Sequence, residues 1–220
     1  MSPEWADLAG IGAATFGTSS GLTQLGRLLR ARTSLGIATG TWLLTTLSTV
    51  TWLGYSFSVH SLVQEVTNGS WMFFVIALTW MVLRERGRTV AAVAVAGVLL
   101  SVVAFTALGT LSTAIPGTCG IVASLLMSLP QIRYALRHGR GPGVSVLGWA
   151  LNGCAVLLWF IYGVGTRQIP VFINTGIQSV LVIAVVVALV ANPEHTPAGQ
   201  RQEADGPIRQ PRGASAAYPD

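Results

Sequence analysis

Residues 128–143 read SLPQIRYALRHGRGPG, and residues 21–33 read GLTQLGRLLRART. Each closes a long uncharged run with a glutamine, Gln24 or Gln131, followed by an arginine cluster. Only the second carries a proline, Pro130, ahead of its glutamine. Proline within a helix removes a hydrogen bond and crowds the preceding turn, at roughly 3 kcal/mol in water. Inside a membrane, neighbouring helices and side chains can re-satisfy the freed carbonyl, and Gln131 is the adjacent candidate. The stretch therefore reads as a hinge beside an anchor. It predicts that the second segment bends more than the first.

The rest of the chain places this hinge in a membrane protein. Hydrophobic residues make up 51% of the sequence and charged residues only 10%, against about 25% charged in a soluble domain. Uncharged runs cover 8–26, 33–59, 66–83, 89–132, 141–166 and 168–193. A spanning helix needs about 20 apolar residues, and Pro116-Gly117 marks a turn that divides the longest run in two. The reading is an all-α membrane protein with seven spans, near 8–28, 37–59, 66–83, 90–111, 116–136, 144–164 and 169–191.

All 13 basic residues are arginine. With the N-terminus outside, Arg27, Arg30, Arg32, Arg84, Arg86, Arg88, Arg133, Arg137 and Arg140 face the cytoplasm, as do Arg201, Arg209 and Arg212 in the tail. Arg167 alone falls outside. That asymmetry orients the chain in the cell membrane by the positive-inside rule and accounts for its basic character without a nucleic-acid partner. The acidic start, with Glu4 and Asp7, has no basic n-region, so the first span is expected to be retained. Cys119 and Cys154 lie in apolar sequence on different spans, against a disulfide framework. Residues 192–220, rich in Pro, Gly, Ala, Arg and Gln, read as a disordered cytoplasmic tail. Asn68-Gly69-Ser70 fits a glycosylation sequon but opens a predicted span.

An internal repeat organises the spans. At a constant offset of 107 residues, Gly10 meets Gly117, Leu22 meets Leu129 and Gln24 meets Gln131. Leu29-Arg30 meets Leu136-Arg137, Gly36 meets Gly143, and Trp42, Trp52 and Tyr55 meet Trp149, Trp159 and Tyr162. Three aromatic pairs, a glutamine pair and an arginine pair at one offset exceed chance. Two three-helix units follow, 8–83 and 116–191, joined by a helix at 89–111. Three spans invert the chain and the fourth restores its direction, so the units are parallel and a substrate site is expected between them near the midplane.

Leu129-Pro130-Gln131 with its basic turn, Gly143-Val144-Ser145, Leu158-Trp159-Phe160-Ile161-Tyr162-Gly163 and Asn174 resemble the PQ-loop superfamily, and within it the SWEET and SemiSWEET sugar facilitators. The resemblance covers roughly residues 8–191 and matches the 3+1+3 SWEET layout. It implies a central pocket built from Trp52 with Asn68 and Trp159 with Asn174, the asparagines placed to about one position. Asn152 and Tyr162 are further pocket candidates. It also implies hinge or gating roles for Pro130, Gln131 and Gln24. The family generally has a proline in the first two helices of both repeats. Here Thr23 precedes Gln24, and Pro116, Pro142 and Pro170 lie at span ends, which implies asymmetric gating.

The chemistry of these residues supports a neutral polar ligand. A tryptophan face stacks on a sugar ring, and asparagine offers donors and an acceptor to hydroxyls. The alternative roles are interfacial for tryptophan and interhelical for asparagine. Trp5, Trp42, Trp71, Trp80 and Trp149 are assigned to interface or packing. No acidic residue or histidine sits well inside a span, so proton coupling lacks a carrier. No metal-ligand spacing, Walker loop or nucleophile motif is present, so neither an enzyme nor a metal or other cofactor is expected. The expected activity is facilitated diffusion of a sugar or similar neutral solute by alternating access. The alternatives are a neutral amino acid as solute, or a non-transporting PQ-loop receptor or scaffold. The expected partners are the solute and the bilayer; a homo-oligomer is left open.

Overall fold

Polar residues in the first two helices raise the first question about the fold, because they must be satisfied away from water. The computed structural model describes residues 4–34, 37–84 and 87–193. Expectations for the tail from Glu194 onward, for Gly36, and for Arg86, Arg201, Arg209 and Arg212 lie outside the described residues. Seven helices run in order: α1 Glu4–Ala31, α2 Thr39–Ser58, α3 Leu62–Arg84, α4 Arg88–Leu111, α5 Ala114–His138, α6 Val146–Gly165 and α7 Ile169–Ala191.

Five of these, α3 to α7, are long and apolar enough to cross a membrane. Helices α1 and α2 reach comparable length but carry many hydroxyls. In α2 these bond back to their own helix: Thr45 Oγ1 to Thr41 O at 2.8 Å, Thr49 Oγ1 to Thr45 O at 2.8 Å, and Ser56 Oγ to Leu53 O at 2.7 Å. Back-bonding hides the hydroxyl within the helix, so low hydropathy need not mean exposed polarity. Other hydroxyls bridge helices. Thr46 and Thr79 lie 3.1 Å apart across α2 and α3, and Ser48 and Ser124 lie 2.6 Å apart across α2 and α5.

Packing follows one pattern in each half. Helix α3 lies against both α1 and α2, and α7 lies against both α5 and α6. Across the halves, α1 packs on α6 and α2 on α5. Helix α4 rests on α2, α3 and α5. The core at one end pairs residues at the 107-residue offset: Leu28 with Ala135, Ile37 with Val144, Leu78 with Val185 and Val82 with Leu189. Positive φ angles recur at the same spacing. The only non-glycine positive φ values among the described residues are at Arg32, His60 and Arg167. His60 (φ 51°) and Arg167 (φ 57°) are 107 apart, and Arg32 (φ 54°) has Gly139 (φ 71°) as its counterpart. Each lies just past the end of a helix, where positive φ is common.

Close approaches fix where α4 sits. A Cβ on Gly54 would lie 2.7 Å from the Phe105 carbonyl oxygen, and one on Gly109 would lie 2.8 Å from the Gly54 oxygen. Only glycine lets the two backbones meet there. A core of Val50, Leu53, Met72 and Val98 seals α2, α3 and α4 together.

Candidate functional site

A cavity of about 200 Å³ lies at the seam between the halves. It runs from Gln64 and Val171 at one end to Gln24, Gln131 and Val144 at the other. It is smaller than the roughly 300–1,000 Å³ of drug-sized sites. Among the described residues, its lining holds no Asp, Glu, Lys, Arg or His.

Five of the six expected pocket residues meet here: Trp52, Asn68, Asn152, Trp159 and Asn174. Tyr162 does not line the cavity. It is buried beyond the Gln64–Val171 end of the cavity, where its hydroxyl lies 2.7 Å from Ser61 Oγ. Its ring packs at 5.1 Å and 87° to Trp159, as Tyr55 packs at 5.4 Å and 84° to Trp52. Edge-on packing against a neighbouring tyrosine holds each indole in one plane. The tyrosines are seated reciprocally. A Cβ on Gly10 would lie 3.0 Å from the Tyr162 ring, and one on Gly117 would lie 3.3 Å from the Tyr55 ring. Each tyrosine thus lies against a glycine of the other half.

The tryptophans differ in their polar partners. The Trp52 indole N–H donates to Ser124 Oγ at 2.9 Å. The residue 107 before Ser124 is Gly17, which has no hydroxyl to offer Trp159. The asparagines are also not equivalent by register. Asn174 corresponds to Thr67, and Asn68 to Thr175, so the halves carry Thr-Asn and Asn-Thr in reversed order. All four line the cavity. Both threonines back-bond, Thr67 to Val63 O at 2.6 Å and Thr175 to Val171 O at 2.8 Å.

The expected hinge residues sit at the opposite end. Gln24 Nε2 donates to Gly143 O at 2.8 Å, and its Oε1 accepts from Ser145 N–H at 3.0 Å. Gln131 Oε1 accepts from Ala38 N–H at 3.2 Å. Ala38 and Ser145 are themselves 107 apart, so each glutamine holds the start of the other half's second helix. Gln131 thus acts across the seam, a role that adjacency to Pro130 does not reveal. Arg27 Nε and Ser20 Oγ add bonds from α1, to Pro142 O at 2.7 Å and to Gly148 O at 2.7 Å. Pro130 packs on Gly40, whose added Cβ would lie 3.3 Å from the proline ring. At the end marked by Gln64 and Val171, Gln64 Nε2 donates to Gln168 Oε1 at 2.6 Å. Both ends of the cavity are bridged between halves.

Several lining residues escaped the sequence reading. Trp42, Trp71 and Trp149, assigned to packing or interface, line the cavity. Trp5 and Trp80 remain exposed. Gln178 and Met127 also line it. Gln178 follows Asn174 by one helical turn on the same face, a signal that spacing carries.

No family model matches this chain, and no curated protein matches it. Among solved structures, it is similar to a eukaryotic SWEET transporter, with a TM-score of 0.59 at 15% identity, covering 85% of this chain and 98% of that one. The fold is therefore SWEET-like, the likeness spanning nearly the whole of that transporter.

Proposed function

We propose that the chain is a membrane transporter that moves a sugar or sugar-like neutral solute by facilitated diffusion and alternating access. Two parallel three-helix PQ-loop units, residues 8–83 and 116–191, would flank α4 as the linker. The observation that carries this reading is the cavity at their seam. It joins Trp52 and Trp159 to Asn68, Asn152 and Asn174 in a lining without ionisable groups. Indole faces suit the apolar face of a sugar ring, and amides suit hydroxyls. A zwitterionic amino acid would bring two full charges to a lining with no opposite charge, at a large desolvation cost. The absence of intramembrane carboxylates and histidines from that lining favours uniport over proton coupling.

The bonds that bridge the halves at each end are the ones that alternating access must break. Opening toward one side would break the Gln24 and Gln131 bonds, and opening toward the other would break the Ser61–Tyr162 and Gln64–Gln168 bonds. By the positive-inside rule, the glutamine end is cytoplasmic and the N-terminus outside, in the cell membrane.

Uptake of radiolabelled sugars and amino acids into proteoliposomes tests the proposal. Sugar uptake without a pH gradient, abolished in Trp159→Ala and Asn174→Ala, is the expected result. A folded preparation that moves no solute would instead favour a receptor or scaffold, and a requirement for a pH gradient would end the uniport reading.

A further inference from the structure

One side of the cavity wall contains a line of polar contacts with a fixed direction. Asn174 and Gln178, 3% and 5% exposed, lie one turn apart on α7. Asn174 Nδ2 donates to Gln178 Oε1 at 3.4 Å. Gln178 Nε2 donates to Met127 Sδ at 3.8 Å, and Thr45 Oγ1, whose proton goes to Thr41 O, lies 3.6 Å from the same sulfur. A thioether accepts hydrogen bonds but has none to donate. The group that Gln178 turns to Met127 must therefore be its NH2, which leaves its oxygen facing Asn174. That oxygen only accepts, so Asn174 must turn its own NH2 to it. The remaining atom, Asn174 Oδ1, is buried and has no hydrogen-bond partner. A buried acceptor without a donor is costly, and this one sits in a residue at the cavity wall.

We infer that Gln178, oriented by Met127, is a positioning residue that fixes the Asn174 amide with Oδ1 as the free acceptor, so that the site selects a solute with a hydroxyl donor at that point. The selection rests on the proposed solute site; the orientation of the amide does not. The second half alone carries this device, because the residues 107 before Asn174, Gln178 and Met127 are Thr67, Trp71 and Ser20. A solute lacking the hydroxyl, or carrying it as a methyl ether, leaves Oδ1 unpaired on binding.

Two measurements on the purified full chain test this. The chain has only Asn68, Asn152, Asn174 and Asn192 as asparagines, so 15N-asparagine labelling gives four side-chain amide pairs, that of Asn174 identified by its loss in Asn174→Asp. Gln178→Met is expected to shift the Asn174 pair, and Gln178→Glu, which keeps an acceptor, to restore it. Binding is then measured for D-glucose and for its mono-deoxy and mono-O-methyl derivatives. The wild type is expected to bind at least one derivative about tenfold more weakly than glucose, and Gln178→Met to lose that ratio. Should Gln178→Met fail to fold, Met127→Leu, which removes only the sulfur acceptor, takes its place with the same expectations. A uniform weakening with the ratio intact would mean a merely structural role and overturn the inference. So would an Asn174 amide pair that does not respond. If no sugar binds the wild type, the sugar reading fails and the amide pair alone decides the role of Gln178.

Discussion

The halves α1–α3 and α5–α7 share a backbone plan but distribute polar groups differently. From α1, Ser20, Gln24 and Arg27 all bond to the 142–148 segment that starts α6. The corresponding residues of α5 are Met127, Gln131 and Tyr134. Met127 is turned to the cavity network, and Tyr134 stacks on His138 with ring centres 4.8 Å apart. Of that trio only the glutamine is common to both halves, and α5 has Pro130 where α1 has Thr23. A duplicated frame can therefore keep its closures while one half supplies extra tethers and the other a proline inside a continuous helix.

The largest expected effect comes from α4, which packs on α2 but leaves α6 alone. Gly54→Ile would force a side chain into the Phe105 backbone, whereas the counterpart Ile161 is exposed. Gly54→Ile is expected to destabilise the protein by about 3 kcal/mol or more, and Ile161→Gly by about 1 kcal/mol, measured by thermal unfolding in detergent. Equal losses would break the contrast.

Next come the tethers. Gln24→Leu strands the Gly143 carbonyl and the Ser145 N–H, at about 1–3 kcal/mol for each group left buried and unpaired. Ser20→Ala, which removes one hydroxyl bond, is expected to cost about 1 kcal/mol. The same thermal measurement ranks them, and a silent Gln24→Leu would show that the α1–α6 contact is held by packing alone.

The hinge is expected to act on rate more than on stability. Pro130→Ala restores a backbone donor to α5. It should raise the unfolding temperature and slow solute uptake several-fold, while Thr23→Ala leaves uptake near wild type. Faster uptake in Pro130→Ala would assign the motion to another helix. A structure with α1 and α5 equally bent would remove the basis for asymmetric gating.

The smallest effect is expected from exchanging Thr67 and Asn68. The double variant Thr67→Asn, Asn68→Thr gives both halves the same order. A few-fold change in solute affinity with unchanged stability is expected, since both positions line the cavity. No change in a binding assay would mean that the first-half asparagine lies outside the solute's reach.

Much of the fold was legible because its signals are local. Seven predicted spans correspond to the seven helices, and the largest boundary shifts, four residues each, are at the starts of α1, at Glu4 rather than 8, and α3, at Leu62 rather than 66. The site was legible only in part. Trp52, Trp159 and the asparagines could be found because they recur at one offset or follow a family pattern. Trp42 and Trp149 could not be distinguished from interface residues, because a tryptophan near a helix end has the same sequence signature whether it faces lipid or a cavity, and Trp71, in the middle of α3, has Gln178 rather than a tryptophan at the 107-residue offset. Tyr162 was one of the further pocket candidates. The packing of Gly10 on its ring and its bond to Ser61 put it beyond the cavity instead.

By itself the sequence determined the helices, their number and the 107-residue correspondence, because hydropathy, charge and repetition are written along the chain. Tertiary structure alone decided what the glutamines and amides do. Gln24 and Gln131 find their partners across the seam, more than 90 residues away, and Asn174 takes its direction from Gln178 and from a sulfur on another helix. A hydrogen bond depends on where its donor and acceptor meet in space, and only packing brings those helices together.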